Sequence, residues 1–503
     1  MSLALVHGGA NTERAEGYCE AKATKRRRTA DSESELLVVP TNSGNALHVD
    51  PAEGRGSRSV ELFKGKTMGV SEPANVSTKL ERIAELARQS PKMVMHSLSR
   101  HIDLEWMRQA YALTRKDGAR GVDGVSAEEF KENAEEKLID LRERLMSGAY
   151  RAPPVRRVHI PKGEGKTRPI GVPTFEDKVL QRAVVMALDA VYEQDFLDCS
   201  YGFRRGRSAH QALEALWRGL MKMGGGFVLE LDIQSFFDTM EHSHLRSFLD
   251  QRMRDGVLRR AIDKWLKAGV LENGWHQRSN LGTPQGGVIS PLLANIYLHE
   301  VLDVWFERDV KPRLRGHAFM IRYADDAVLV FSSEADARKV LDVLPKRFAK
   351  YGLTLHPVKT RLVNFRRPPH DVDKGFGSFD LLGFTHFWAR SRKGSWVVKR
   401  KTASQRLSRA IRRVWEWCRD HRHRRVDEQH ATLTLMVRGH YGYYGVTGNT
   451  RQLSVFLHEV ERVWRYWLDR RSQRGKMKWD RFARLLRRYP LPKIRIVHSV
   501  YRT

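Results

Sequence analysis

Three aspartates beside apolar strand-like segments are the residues of this sequence best suited to chemistry. Asp232 directly follows the alternating segment FVLEL, and Asp325 with Asp326 interrupts the apolar stretch FMIRYADDAVLVF. If the two segments pair in a sheet, three carboxylates meet at one end of it. Hard divalent cations prefer oxygen ligands, and two Mg²⁺ ions about 4 Å apart can clamp both oxygens of a phosphoryl displacement. The pattern predicts a magnesium site for phosphoryl transfer.

A structural role explains these aspartates less well. Each one alone would fit a turn or a helix cap. Two adjacent carboxylates repel each other, however, and a purely structural hairpin tip favours Asn-Gly or Asp-Gly. The pair at Asp325 and Asp326 therefore indicates function.

The elements that must position these acids divide the chain into three parts. Residues 1–75 are rich in Gly, Ser, Glu, Arg and Thr and have no sustained apolar period, which predicts a disordered extension. A capping box formed by Thr78 and Glu81 predicts that helical structure begins just before Thr78. Helix and strand signals alternate over 76–385, and residues 386–503 are expected to form a basic helical domain.

Positive charge is concentrated in the last part. The chain has 503 residues and a formal net charge of +30, and residues 386–503 hold 30 Lys and Arg against 8 Asp and Glu. Seven of the twelve tryptophans also lie there. Basic residues interleaved with aromatic ones are typical of a surface that follows a phosphate backbone. The expected partner is a nucleic acid.

Composition also limits the compartment and the kinds of metal site. No run approaches the roughly 20 apolar residues that a spanning helix needs, so a membrane partner is not expected. Cys19, Cys199 and Cys418 are far apart and form no CxxC pair, which argues against a cysteine zinc site and a disulfide framework. These features favour a reducing, intracellular compartment.

Several segments resemble the conserved blocks of one family. YADD, with an upstream strand that ends in Asp, resembles the palm of a reverse transcriptase. Further segments follow in the order and spacing of group II intron-encoded reverse transcriptase/maturases: RRVHIPKGEGKTRPIGVPTFEDKVLQRAV (156–184), CSYGFRRGRSAHQAL (199–213), GTPQGGVISPLLANIYL (282–298), YGLTLHPVKTRL (351–362), FDLLGF (379–384) and LTLMVRGHYGYYGVTGNT (433–450). The resemblance spans roughly residues 76–498.

The resemblance implies an α+β right-hand polymerase. Fingers and a palm with an antiparallel, ferredoxin-like sheet would occupy 76–385, and an α-helical thumb and maturase (X) domain would occupy 386–503. The implied activity is RNA-directed DNA polymerisation, together with binding of the parent intron RNA that promotes its splicing and mobility. The chain resembles the bacterial type without the C-terminal HNH endonuclease domain that some relatives append.

The resemblance also assigns the metal site. Asp232, Asp325 and Asp326 would hold two catalytic Mg²⁺ ions, with the carbonyl of Ile233 as a further ligand. The primer 3′-OH would attack the α-phosphate of the incoming nucleotide. One departure is Ala327, where a larger residue such as Phe is expected, and it should change packing without removing a ligand.

Five further residues receive roles through the same resemblance. Lys162 and Arg168 would cover the triphosphate from a fingers hairpin, although a solvated turn remains an alternative. Phe237 would crowd a ribose 2′-OH and so favour deoxynucleotides, unless its ring only packs in the core. Gln285, in a Gly-rich loop, would hydrogen-bond the template or the nascent base pair. Lys359 would protonate pyrophosphate as a general acid or contact a primer phosphate.

The implied partners are intron RNA and an RNA template, a DNA target or primer, and dNTPs, and a homodimer stays open. A non-enzymatic alternative is a splicing factor with a vestigial polymerase, against which the intact aspartates argue. Another is a reverse transcriptase recruited to host defence or diversification. The Gln-Gly-Gly sequence followed by Ser290 and Pro291 resembles the intron type more closely.

Overall fold

The computed structural model describes residues 74–163, 166–272, 274–277, 281–283, 285–372, 377–472 and 477–499. The predicted extension 1–75 therefore lies outside the described residues, except for its last two positions. None of the helices among the described residues combines the length and the apolar character needed to cross a membrane.

Strands and helices alternate as far as Thr402, and the elements described beyond it are helices. The strands are β1 (Val155–Gly163), β2 (Lys166–Val172), β3 (Phe227–Leu231), β4 (Val270–Glu272), β5 (Trp275–Gln277), β6 (Ala318–Tyr323), β7 (Asp326–Phe331), β8 (Arg361–Asn364), β9 (Phe379–Leu381), β10 (Phe384–Arg390) and β11 (Trp396–Thr402). The α-helices are α1 (Ala74–Gln89), α2 (Leu104–Leu113), α3 (Ala127–Lys131), α4 (Ala134–Ser147), α5 (Phe175–Tyr192), α6 (Ala209–Met223), α7 (Phe236–Thr239), α8 (His242–Asp250), α9 (Gly256–Lys267), α10 (Ser290–Leu298), α11 (Glu334–Ala349), α12 (Ser404–Asp420), α13 (Val426–Tyr444), α14 (Thr450–Asp469) and α15 (Trp479–Arg488).

A four-stranded antiparallel sheet, here called the central sheet, has the order β6-β7-β3-β8. Its strands follow one another along the chain in a β-α-β-β-α-β pattern, which in this order is that of a ferredoxin-like sheet. Phe227, Leu229 and Leu231 contribute to one hydrophobic core, whereas Val228 contributes to the other. Because both faces are covered, the central strands are apolar nearly throughout.

The described part of the structure contains two smaller sheets besides the central one. The first has the order β2-β1-β4-β5 and contains the antiparallel hairpin of β1 and β2, in which Ile160 pairs with Arg168. The second has the order β11-β10-β9 and leads into α12.

Two local boundaries differ from the sequence expectation. Helix α1 begins at Ala74 because its buried stripe already includes Val76, so Thr78 lies inside the helix and the predicted capping box there is wrong. Residue 386, where the sequence predicted that the helical domain begins, lies inside β10. The helices begin only after Thr402, because β10 pairs with β11 up to that residue.

Candidate active site

The register of the central sheet brings the three aspartates to one end. Leu231, the last residue of β3, pairs with Ala327, so continuation of the register sets Asp232, the residue after the strand, opposite Asp326. The hairpin of β6 and β7 turns through Ala324 and Asp325. The backbone carbonyl of Asp232 accepts a hydrogen bond from the N–H of His356 at 2.8 Å, which extends the pairing past the end of β3. The predicted pairing of the strand before Asp232 with the strands around Asp325 and Asp326 is confirmed.

The carboxylates influence one another electrostatically. The pKa of Asp326 is raised, first by desolvation and then by the negative charges of Asp325 and Asp232, although the residue itself is exposed to solvent. The cations Arg406 and Lys359 act in the opposite direction. Neighbouring carboxylates repel one another, and a cation bound between them removes that repulsion. The cluster therefore favours a bound cation.

A lysine already contacts one of these acids. Lys359 Nζ donates to Asp232 Oδ2 at 3.0 Å, from the turn that precedes β8. Its side chain is more than half exposed, so this contact exchanges readily with solvent or with a phosphate. Ile233, whose carbonyl was expected to help hold metal, is buried and forms an isolated bridge with Leu355.

The three carboxylates are suitable ligands for Mg²⁺, but their side chains do not form a complete coordination site by themselves. Among the described residues, no three acid, imidazole or thiol side chains converge closely enough to hold an ion as they stand. Three carboxylates at one sheet end are hard oxygen donors of the kind that Mg²⁺ binds through one or two carboxylates together with substrate phosphates. The fit therefore rests on the chemistry and placement of the donors, and the substrate's phosphates would complete the shell.

The turn that carries Asp325 has a strained backbone. Ala324 has a φ of 58°, in the left-handed region that non-glycine residues rarely adopt. The loop at Gly202 packs directly against it, since a Cβ atom on Gly202 would lie 2.3 Å from the Ala324 nitrogen. In the sequence, Gly202 is marked only by its place in the block CSYGF.

The structure brings Arg168 and Gln285 together. Arg168 Nε donates to Gln285 Oε1 at 2.8 Å, and the N–H of Gly171 donates to the Gln285 carbonyl at 2.6 Å. Gln181 holds the next part of the loop, because its Oε1 accepts from the N–H groups of Val288 and Ile289. Separate roles were predicted for Arg168 and Gln285, and no sequence pattern indicates the hydrogen bond between their side chains. The side chain of Lys162, by contrast, lies outside the described residues.

Phe237 lies in a short helical turn beneath the Gly-rich loop. Its ring is 8% exposed and packs edge-on against Phe236, with 5.4 Å between ring centroids. Its carbonyl accepts the N–H of Thr283 at 2.7 Å, and a Cβ on Gly282 would lie 2.6 Å from the same oxygen. These contacts place Phe237 against the loop that contains Gln285 and give it a packing role whatever its effect on the nucleotide sugar.

Comparison with known proteins identifies the family. A model described as reverse transcriptase (RNA-dependent DNA polymerase) matches residues 160–386. Protein YkfC of Escherichia coli K12 is 36% identical over 360 residues, which is 64% of this chain and 91% of that protein. The group II intron-encoded protein LtrA of Lactococcus lactis is 34% identical over 284 residues, 53% of this chain and 46% of LtrA. Nuclear intron maturase 3 of Arabidopsis thaliana is 25% identical over 39% of this chain and 31% of its own length.

The chain belongs to the group II intron-encoded reverse transcriptases and maturases. The resemblance inferred from its motifs is confirmed, and the enzyme class is that of RNA-directed DNA polymerases. The three aspartates and the loop with Gln285 both lie inside the matched residues 160–386. The chain spans nearly all of YkfC but less than half of LtrA.

In this reverse transcriptase, the maturase-like segment 433–450 is joined to the end of the polymerase region. Tyr443 Oη donates to the carbonyl of Leu382 at 2.8 Å, inside the block FDLLGF. The fully buried Asn449 donates to Thr402 Oγ1 at 2.9 Å and accepts from the Thr402 N–H at 3.0 Å. This segment therefore attaches the C-terminal helices to the sheet of β9, β10 and β11.

Proposed function

We propose that this protein copies intron RNA into cDNA with two Mg²⁺ ions held by Asp232, Asp325 and Asp326. The observation that carries the proposal is the strand register that sets Asp232 opposite Asp326, beside the turn at Asp325. A pure RNA-binding protein gains nothing from negative charge at a surface that faces phosphates. Clustered acids in a chain of net charge +30 are explained by a reaction that needs bound cations.

The residues around the acids have complementary tasks. When bound, Mg²⁺ would activate the primer 3′-OH and stabilise charge on the phosphates. Lys359, which reaches the Asp232 carboxylate from the turn before β8, is placed to meet a phosphate or pyrophosphate group, as a proton donor or as a contact to the primer. Arg168 and Gln285, bound to each other, would close over the nucleotide and the nascent base pair. Phe237 would restrict the space for a ribose 2′-OH.

The division into fingers, palm and thumb follows from the same proposal. The central sheet would be the palm, and the β1–β2 hairpin with the helices before it would be the fingers. The helices from α12 onward would form the thumb and maturase domain. A DNA target, a bacterial cytoplasm and a homodimer stay predictions.

The catalytic proposal is tested by the metal dependence of primer extension. Wild type should extend an oligo(dT) primer on poly(rA) with dTTP and Mg²⁺. Asp232→Asn should lower the rate by about 100-fold or more, since each carboxylate ligand contributes several kcal/mol of charge stabilisation. Asp342→Asn, which changes an exposed acid on α11, is the matched control and should behave as wild type. Equal rates for wild type and Asp232→Asn would overturn the proposal.

We propose in addition that the C-terminal helices bind the intron RNA and promote its splicing. Residues 386–503 hold 30 basic against 8 acidic side chains. Trp415 and Tyr466 are each more than a third exposed, and the guanidinium groups of Arg419 and Arg470 stack 5.6 Å and 3.7 Å from their ring centroids. Arginines and aromatic rings presented together suit phosphates and unpaired bases.

A separation of activities tests this second proposal. The protein would be given a precursor RNA containing the intron that flanks its gene, at a Mg²⁺ concentration too low for splicing by RNA alone. Arg419→Ala/Arg470→Ala should reduce splicing while primer extension on poly(rA) continues. Arg338→Ala, in an exposed ion pair on α11, is the matched control. Wild-type protein that leaves the precursor unspliced would contradict the proposal.

A further inference from the structure

Arg322, three residues before Asp325, is a charged residue inside an apolar strand. It is fully buried, and its ion-pair partner Asp303 is fully buried as well. The guanidinium Nε donates to Asp303 Oδ1 at 2.7 Å, and Nη2 donates to Asp303 Oδ2 at 2.5 Å. This is the bidentate geometry in which arginine and carboxylate pair best.

The remaining donors of this guanidinium reach three other parts of the chain. Nη1 donates to Asn295 Oδ1 at 3.0 Å and to the carbonyl of Ala324 at 2.9 Å. Nη2 also donates to Ser200 Oγ at 2.8 Å. An arginine has five N–H donors, and these contacts use all five.

One of these contacts is to the strained turn itself. Ala324 has a left-handed φ of 58°, and its carbonyl is the group that the guanidinium binds. A residue in that region keeps its conformation only when its surroundings hold it there. The Arg322 side chain is thus fastened to helix α10 and to Asp303, and it holds the residue that immediately precedes the two aspartates.

The backbone of Arg322 adds a second attachment. Its N–H donates to the Cys199 carbonyl at 2.7 Å, and its own carbonyl accepts from the Tyr201 N–H at 2.9 Å. Asn295, which accepts from the guanidinium, also donates through Nδ2 to the Gly202 carbonyl at 2.7 Å. The loop 199–202 is thereby fixed against both the strand and the turn.

Stability alone does not account for this arrangement. A buried ion pair contributes little net stability over well-packed apolar side chains, because desolvation of both charges offsets their attraction. What the pair supplies here is direction, since a planar fork with five fixed donors defines the position of every acceptor around it.

We propose that Arg322 is a positioning residue for catalysis, which holds the turn at Ala324 so that Asp325 and Asp326 present their carboxylates in the orientation that binds metal. The inference rests on the proposed polymerase function and deepens it. Arg322 acts through the turn and touches neither nucleotide nor metal.

The test compares Arg322→Lys with wild type in folding and in metal dependence. Lysine keeps the charge but offers three donors from a single nitrogen, so it cannot hold Asp303, Asn295 and the Ala324 carbonyl together. We expect a fall in kcat of about 10- to 100-fold and a several-fold rise in the half-saturating Mg²⁺ concentration, since displacement of reactive groups by about 1 Å has effects of this size. The Kd for primer–template should stay at the wild-type value.

Arg252→Lys is the matched control. Arg252 is also buried and is held by Asp195 and by the carbonyls of Ala87, Ser90 and Met93, but it contacts no residue of the turn. The Arg252→Lys variant should have a lower Tm than wild type. The protein that remains folded should keep the wild-type half-saturating Mg²⁺ concentration in primer extension. If Arg322→Lys shows the wild-type Mg²⁺ dependence, or if Arg252→Lys shifts it equally, the inference is wrong.

A milder variant covers the case in which Arg322→Lys does not fold. Ser200→Ala removes one acceptor and leaves the ion pair intact, so it should fold and shift the half-saturating Mg²⁺ concentration upward by a smaller factor. An unshifted value in folded Ser200→Ala would then overturn the inference. Both outcomes differ from failure of the proposed function, in which wild type itself makes no cDNA.

Discussion

At the scale of single residues, the close packing of Gly202 against Ala324 limits the positions that the turn at Asp325 can adopt. The space beside Gly202 is filled by backbone atoms of Tyr323 and Ala324, which cannot swing aside as a flexible side chain would. Any side chain at position 202 must therefore move either its own loop or the turn that carries Asp325. The active site depends on a residue that takes no part in the chemistry.

We expect Gly202→Ala to lower the rate of primer extension by about 10-fold or more, because a small displacement of reactive groups is costly. The measurement is the initial rate on poly(rA)/oligo(dT), corrected for the folded fraction from a thermal melt. Gly439→Ala is the control, since a Cβ there would meet nothing within 4 Å. A wild-type rate in Gly202→Ala would contradict this account of the turn.

The three aspartates could be picked out from the sequence, whereas the residues that hold them in place could not. Asp232, Asp325 and Asp326 stand out because charge at the end of an apolar strand is unusual and because their motif is specific. Arg322 lies next to the same motif, but its partners Ser200 and Asp303 are distant along the chain and meet it only in the fold. Long-range side-chain contacts of this kind leave no local pattern.

At the scale of elements, the β1–β2 hairpin is joined to the Gly-rich loop by two bonds. The Gly171 N–H and the Arg168 side chain both end on Gln285, one on its carbonyl and the other on its side-chain oxygen. The hairpin and the loop are therefore held to each other through a single residue.

Arg168→Leu should raise the KM for dNTP by about 10-fold, because it removes a charge-assisted hydrogen bond and leaves Gln285 without its partner. Steady-state primer extension at varied dTTP gives the KM and kcat separately. Arg156→Leu, in which the lost guanidinium contacts the Arg120 carbonyl instead, is the control. An unchanged KM would show that this link does not serve nucleotide binding.

The types of elements followed from the sequence more reliably than their ends. Apolar alternation correctly predicted the strands around the aspartates. Thr78 was misplaced because the buried stripe of α1 extends further toward its N-terminus than the capping pattern indicated. The helical boundary near residue 386 was inferred from charge, which does not report strand pairing.

At the scale of the whole molecule, the C-terminal segment returns to the start of helix α6. His498 stacks on His210 with 3.5 Å between ring centroids, and His210 Nε2 donates a hydrogen bond to the Tyr443 carbonyl at 2.8 Å. The pKa of His210 is lowered to about 4 by desolvation and then by the charge of His498, with Arg400 acting in the same direction. Folding therefore favours the neutral ring.

This arrangement predicts a loss of stability in mild acid. A histidine whose pKa is about 4 in the folded state and about 6.5 in the unfolded state stabilises the fold fully above pH 6.5, and that stability is lost as the pH falls toward 4. His210→Phe should therefore show a smaller fall in Tm between about pH 7.5 and pH 5 than wild type. His423→Phe, at an exposed histidine, should keep the wild-type slope. Identical slopes for wild type and His210→Phe would contradict the prediction.

The central claim is that three aspartates in a strongly basic chain carry RNA-directed DNA synthesis. The most direct measurement is cDNA formed by purified protein on a primed RNA template with dNTPs and Mg²⁺, for wild type beside Asp325→Ala/Asp326→Ala. We predict full-length cDNA from wild type and none from the double variant at equal folded concentration. No cDNA from wild type, or equal cDNA from both proteins, would contradict the claim.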